Sequence, residues 1–275
     1  MPTSDKDGGD ALTATVLGCG SSTGVPRIGN DWGACDPADP RNRRRRCALL
    51  IERRRAGGVT RVLIDTGADL REQLIDAAVT TIDGVLYTHD HADHIHGIDD
   101  LRVAAINRRR RVPVHADVRT GRELVGRFAY CFETPPGSGY PPILDLHEVT
   151  PGDPVTIDGD GGPIEATPFL QRHGDIDSLG YRVAGLAYSS DLHDLPDASL
   201  ARLAGLDVWI VDALRWRPHP SHFSVSDALA WIERVGPRRA YLTNMHMDLD
   251  YRTLAGILPS GVEPAYDGLR LTLAE

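Results

Sequence analysis

Cysteine is scarce in this 275-residue chain: Cys19, Cys35, Cys47 and Cys131 stand far apart, with no C-x-x-C pair. That excludes a disulfide framework and fits reduced thiols in a cytoplasmic protein. No apolar run approaches the roughly 20 residues that span a bilayer, so no membrane association is expected. The first ten residues are polar and acidic, unlike a secretory leader, and are expected to form a disordered tail over residues 1–10. A basic surplus is also missing. Thirty Lys and Arg against 39 Asp and Glu leave a net charge of −9, which argues against a nucleic-acid partner. Two arginine runs, Arg43 to Arg46 and Arg108 to Arg111, qualify this. Each is either a solvated face or a positive rim that draws an anionic substrate to a cleft. Repeats of 20 to 50 residues and coiled-coil heptads are absent as well.

Present instead is an ordinary globular composition, 41% hydrophobic and 25% charged, long enough to bury a substantial core. Short β-type runs at 13–17, 47–52, 61–65, 84–88, 112–115, 180–183, 186–189, 208–212 and 240–243 alternate with helical patterns. The helices are expected at 69–78, 93–107, 118–130, 199–204, 224–235 and 251–257. Alternation of this kind predicts an α/β fold. The Gly- and Pro-rich stretches at 134–142 and 151–163 read as a surface loop and a hairpin turn, so residues 11–275 are taken as a single domain.

The densest chemistry lies in His89-Asp90-His91-Ala92-Asp93-His94-Ile95-His96, four histidines and two aspartates in eight residues. Imidazole and carboxylate hold borderline divalent metals, and crowding them together brings no packing advantage. Other apolar runs end in polar residues too: Leu63-Ile64 in Asp65, Tyr188-Ser189-Ser190 in Asp191, and Leu242-Thr243-Asn244-Met245 in His246. Polar groups at the carboxyl ends of strands are how α/β proteins build a site on a rigid scaffold.

The pattern His89-x-His91-x-Asp93-His94 resembles the signature of the metallo-β-lactamase fold superfamily. The resemblance runs from about residue 12 to 273 and implies an αββα sandwich of two mixed β-sheets flanked by helices. It implies a dinuclear site of two divalent ions, Zn or Mn from the all-N/O donor set. By this resemblance His89, His91 and His173 take one ion, Asp93, His94 and His246 the other, and Asp191 bridges them. Asp65 matches a residue that supports the site without being a primary ligand. Two such ions with two carboxylates and a bridging hydroxide leave a charge of about +1, a seat for a phosphate oxygen. His96 finds no ligand slot, and His115, His147 and His193 read as ordinary.

The opening Gly18-Cys19-Gly20-Ser21-Ser22-Thr23-Gly24-Val25-Pro26 and the later Arg46-Cys47-Ala48 look like the phosphodiesterase side of the superfamily, which includes ribonuclease Z and cyclic-phosphate phosphodiesterases. In that branch a non-ligand histidine protonates the leaving oxygen, and His222 holds the matching position before a helix capped by Ser224 or Ser226. His219 is its nearby competitor. The catalytic pair expected is therefore His222 and Asp65. The function implied is phosphodiesterase cleavage of a small, including cyclic, anionic phosphodiester by a metal-bridging hydroxide. Ribonuclease Z-like RNA cleavage, hydrolysis of a thioester or lactone, and non-hydrolytic cofactor biosynthesis are the alternatives. A cysteine-rich structural zinc site of the branch would have only Cys35 and Cys47 to draw on, and a homodimer is left open.

Overall fold

The computed structural model describes residues 10–274. Of the tail expected over 1–10, only Asp10 falls among them, paired with Arg55 at 3.3 Å; the rest lies outside the described residues. Six strands make most of the first sheet: β1 (Ala11–Gly18), β2 (Ala48–Arg55), β3 (Gly58–Ile64), β4 (Gly84–Leu86), β5 (Val112–Ala116) and β6 (Leu144–Glu148). The second comprises β7 (Val155–Ile157), β8 (Ile164–His173), β9 (Ile176–Val183), β10 (Leu186–Ser189), β11 (Val208–Asp212), β12 (Arg239–Thr243) and β13 (Val262–Pro264). The last strand, β14 (Arg270–Leu273), returns to the first sheet beside β1, pairing Leu12 with Leu273.

Among the described residues both sheets have seven strands and the same plan. In the order β14-β1-β2-β3-β4-β5-β6, pairing is antiparallel as far as β3 and parallel beyond it. In the order β7-β8-β9-β10-β11-β12-β13, it is antiparallel as far as β10 and parallel beyond it.

Strand alternation sorts the core into two layers. Leu49, Ile51, Val62, Ile64 and Leu86 face the second sheet, against Phe169, Tyr181, Tyr188 and Leu242. Their neighbours Ala48, Leu50, Leu63 and Val85 point the other way, under Leu70, Ile98, Leu101 and Leu124 of the outer helices. Central strands buried on both faces read as continuous apolar runs, which is why these segments were recognisable. The two mixed sheets flanked by helices are the expected α/β sandwich.

The helix expected over 93–107 is broken. Ala92–Ile95 forms one turn, Ile98–Asp100 a 3₁₀ turn, and Leu101–Arg108 the helix proper. The break sits at Gly97, whose N–H reaches Thr66 O at 2.8 Å, and a β-carbon there would lie 2.1 Å from Gly67 O. This close approach locks the loop after β3 onto the His/Asp segment.

Neither arginine run forms a rim. Arg44 is buried beneath the loop that carries His246, donating to Leu249 O at 2.7 Å and Asn42 Oδ1 at 3.2 Å. Arg45 pairs with Asp76 and Asp267, Arg46 with Asp69, Arg108 and Arg110 with Asp83, and Arg111 with Asp145. Arg44 alone is buried; Arg43 and Arg109 to Arg111 are exposed, which is the solvated-face alternative.

Candidate metal centre and active site

The polar strand ends converge. Asp65 follows β3, His89 follows β4, His173 ends β8, Asp191 follows β10 and His246 follows β12. Two of the turns need left-handed backbone at non-glycine residues, Asp65 at φ 67° and Asn244 at φ 59°. Asp and Asn tolerate that region best among side-chain-bearing residues, and such local strain clusters at functional sites.

Asp65 is fully buried behind the cluster and does not face the cavity. Its carboxylate accepts from Thr88 N and Thr88 Oγ1, each at 2.8 Å, and from His94 Nδ1 at 2.7 Å. Fixing the proton on Nδ1 leaves the Nε2 lone pair of His94 directed at Asp191 Oδ2 (3.1 Å) and Asp93 Oδ2 (3.4 Å). Asp65 is therefore a positioning residue. His89 and His91 are brought together with His173; the Nε2 of His173 lies 3.2 Å from His91 Nδ1, while its own Nδ1 is held by Ser221 O at 2.8 Å. A second group joins His89, His94 and Asp191.

The donor set fits divalent ions. Among the described residues His89 Nε2 is buried without a hydrogen-bond partner, and His94 Nε2 and Asp191 Oδ2, 3.1 Å apart, have no well-formed bond. Orphaned polar atoms of this kind cost free energy, about 1–3 kcal/mol apiece, unless something binds them. Electrostatics point the same way. Burial works against the charged form of His94, yet Asp191, Asp93 and Asp65 outweigh it and raise its pKa. Burial likewise opposes ionisation of Asp191, but His94 holds its carboxyl well below the usual range. The carboxylates require a positive charge between them. His89, by contrast, is driven toward the neutral, ligand-competent form, first by burial and then by His94.

His246 stands apart from these tight groups. It lines the same cavity, with Nδ1 2.6 Å from Asp248 Oδ1 and Nε2 in contact with the Arg27 guanidinium. His222 comes closer than its expected role required, grouping with His173 and Asp191. Its Nδ1 lies 2.8 Å from Asp212 Oδ2, leaving Nε2 as the nitrogen able to exchange a proton. Burial lowers the pKa of His222, but the hydrogen-bonded Asp212 more than offsets this and raises it to about 9. The chain around it is pinned by Phe223 N to Leu192 O at 2.8 Å and by the helix Val225–Val235, whose N-cap is Ser224 in a capping box with Asp227.

Asp212 escaped the sequence reading. The signal was present in Val208-Trp209-Ile210-Val211-Asp212, one more apolar run ending in a carboxylate. His219 is engaged by Ser221, whose N–H and hydroxyl lie 3.3 and 3.1 Å from its Nδ1. His96 is exposed with its ring against Phe128, and His193 accepts from Gly174 N at 3.0 Å, bracing the turn after His173. Cys35 and Cys47 are buried thiols with separate partners, the Met247 carbonyl and the Gly20 carbonyl; neither joins a metal-competent group among the described residues.

A family model described as the β-lactamase superfamily domain matches residues 60–247. The chain belongs to the β-lactamase superfamily. Members of the metallo-β-lactamase fold bind divalent metals and include hydrolases, in keeping with the His/Asp cluster. A solved structure of a diphosphatase from the PhnP family is 36% identical, superposes with a TM-score of 0.84, and is matched over 95% of this chain and 97% of that one. An octanoyltransferase from Porphyromonas gingivalis is 33% identical over 96% of this chain and 52% of its own length. A ribonuclease Z from Bradyrhizobium is 33% identical over 62% of this chain, again 52% of its own length. The chain thus spans about half the length of the curated relatives it matches. No helix among the described residues is long and apolar enough to cross a membrane.

Proposed function

We propose that this β-lactamase superfamily member is a dinuclear metal-dependent phosphodiesterase acting on small anionic diesters. The observation that carries the reading is the Asp212–His222 pair set beside Asp191 in a polar cavity of about 310 Å³. His89, His91 and His173 would hold one divalent ion and Asp93, His94 and His246 the other, with Asp191 between them. Bound there, Zn or Mn would supply Lewis acidity and a water of lowered pKa.

The chain's own groups account for the rest. Asp212 keeps the His222 proton in place at neutral pH and fixes the imidazole by its Nδ1. The Nε2–H can then be delivered to the departing oxygen, which alkoxide leaving groups need. Ser22 and Thr23 at the mouth, with the buried Ser21 hydroxyl in the wall, offer hydroxyl donors to the anionic oxygens. Among the cavity's lining residues Leu214 is the one aliphatic side chain, so an octanoyl or other acyl tail finds no apolar channel. That favours a phosphoryl substrate over a thioester or lactone. The small cavity and the net charge of −9 favour a small diester over RNA.

Metal stoichiometry measured together with hydrolysis of bis(p-nitrophenyl) phosphate tests the reading. Two bound ions with turnover under Zn or Mn are expected. Two ions without diesterase activity under either metal would defeat it.

A further inference from the structure

His115 and His147 have no constellation around them in the sequence; the sheet gives them one. At one end of the sandwich the second sheet finishes in β7, only three residues long, and the ends of β5 and β6 share with it a surface cavity of about 530 Å³. His115 is in register with Leu86, which faces the second sheet, and His147 is in register with His115. All three side chains therefore lie in one row on the inner face. The two imidazoles stack, with centroids 5.0 Å apart and 22° between their planes. Among the described residues neither ring has a hydrogen bond or an ion pair.

Packing gives no reason for this pair. A half-buried imidazole beside Leu86 gives up hydrogen bonds to water and gains none from the protein, where valine or threonine would suit the strand better. The arginines lining the cavity are already neutralised: Arg110 pairs with Asp83 at 3.1 Å and Arg111 with Asp145 at 2.8 Å. Asp158, which follows β7 on the facing sheet, lines the cavity too, and no cation pairs with it among the described residues. Two imidazoles and one unpaired carboxylate remain. That set repels an anion and suits a cation that favours nitrogen donors. Burial, and then His147, push His115 down to about 4, so it keeps a free lone pair at neutral pH.

We propose that His115 and His147 form a second transition-metal site at the open end of the sandwich, with Asp158 supplying an oxygen donor from the facing sheet. The ion it takes is a late first-row divalent cation such as Zn²⁺, for which imidazole is a favoured donor. Residues in register on neighbouring strands stand about 4.8 Å apart, so rotating the exposed His147 ring between staggered rotamers can bring one nitrogen from each ring onto a common ion. An ion held there would tie β5 to β6 and, through Asp158, the first sheet to the second. The site is independent of the phosphodiesterase reading, since none of these three residues lines the cavity around Asp191.

Calorimetric titration of the zinc-loaded protein with further Zn²⁺ tests this, beside His115→Gln, His147→Gln and Asp158→Asn, with circular dichroism to verify folding. Wild type should bind one equivalent more than either histidine variant. Changing a group that merely supports a ligand costs about 10- to 100-fold in metal affinity, so losing a donor nitrogen should weaken this equivalent by at least as much. Asp158→Asn should weaken it by a smaller factor, and unchanged binding there would remove Asp158 from the site. His96→Gln, which deletes an exposed imidazole elsewhere, should keep the equivalent. In wild type the imidazole ¹H–¹⁵N signals of His115 and His147 should shift together as it fills. Equal stoichiometry in wild type and both histidine variants, or shifts confined to the histidines around Asp191, would overturn the proposal. If the diesterase reading fails, this count still stands, because it is a difference between chains and uses no substrate.

Discussion

Replacing Asp65 with Asn isolates the tautomer control of His94. Asn tolerates the φ of 67° at this position, so the strain that Ala would add is avoided. Its amide oxygen can keep the 2.8 Å bond from Thr88 N, but the other arm now presents an N–H to His94 Nδ1. His94 must then carry its proton on Nε2, the nitrogen that faces Asp191 and Asp93 at 3.1 and 3.4 Å. A protonated Nε2 has no lone pair to give a metal ion. Regaining the competent tautomer means facing two N–H groups across a buried 2.7 Å contact, and a charge-assisted bond is lost besides. Such a bond is worth about 1.5–3 kcal/mol, equivalent to roughly a 10- to 100-fold loss of affinity. The assay is competitive titration of metal-free protein with Zn²⁺ against a chromophoric chelator, with circular dichroism to verify folding. One of two equivalents should weaken by that factor. If a folded Asp65→Asn variant binds both ions within twofold of wild type, the positioning argument is refuted.

The Asp212–His222 pair predicts that His222→Ala will retain its metal but lose far more rate on alkyl than on aryl diesters, since p-nitrophenolate leaves without a proton. A His222 pKa of about 9 places the alkaline limb of kcat there, with activity falling as pH rises through it, and Asp212→Asn should move that limb toward about 6.5; an unmoved limb would assign the proton to another group. His115 is pushed down to about 4, first by burial and then by His147 stacked at 5.0 Å. Its folded pKa lies below the unfolded value of about 6.5, so unfolding takes up a proton between these limits. Stability should therefore fall as pH drops from 6.5 to 4, less steeply in His115→Gln, by urea midpoints; identical slopes would contradict this. Gly97→Ala, clashing with Gly67 O, should cost about 1–3 kcal/mol, lowering Tm by several degrees. Gly126→Ala, in open space on an exposed helix face, should stabilise by about 0.5–1 kcal/mol, and scanning calorimetry distinguishes the two.

The site was more legible than the sheets around it. Polar residues terminating doubly buried strands stand out against continuous apolar runs, so Asp65, His89, Asp191 and His246 could be placed at strand ends. The peripheral strands β6, β7, β13 and β14 and the long β8 were not anticipated. They are short or carry alternating polar residues, and β8 contains Pro168. That proline is tolerated because β7 pairs only with residues 164–166, so Pro168 lies beyond the edge strand and no ladder bond needs its N–H. Of the arginine runs, the exposed Arg43 and Arg109 to Arg111 match the solvated-face alternative, while the burial of Arg44 had no signal in the sequence. Arg27, a single residue in a turn, carried no pattern at all. The identical plan of the two sheets was invisible too, because it is a likeness of pairing direction rather than of residues.

The return of β14 to the edge of the first sheet places the first and last described strands side by side, with Leu12 opposite Leu273. The order in which the halves are written along the polypeptide is therefore incidental to the architecture. Joining Asp10 to Ala274 by a short flexible bridge and reopening the chain at the exposed Ala56-Gly57 turn between β2 and β3 would leave every described strand whole. A rearranged chain of this kind would still bring the loops after β3, β4, β10, β11 and β12 to one place. What the centre requires is that two sheets meet at their carboxyl ends, and the covalent itinerary between them is free to change.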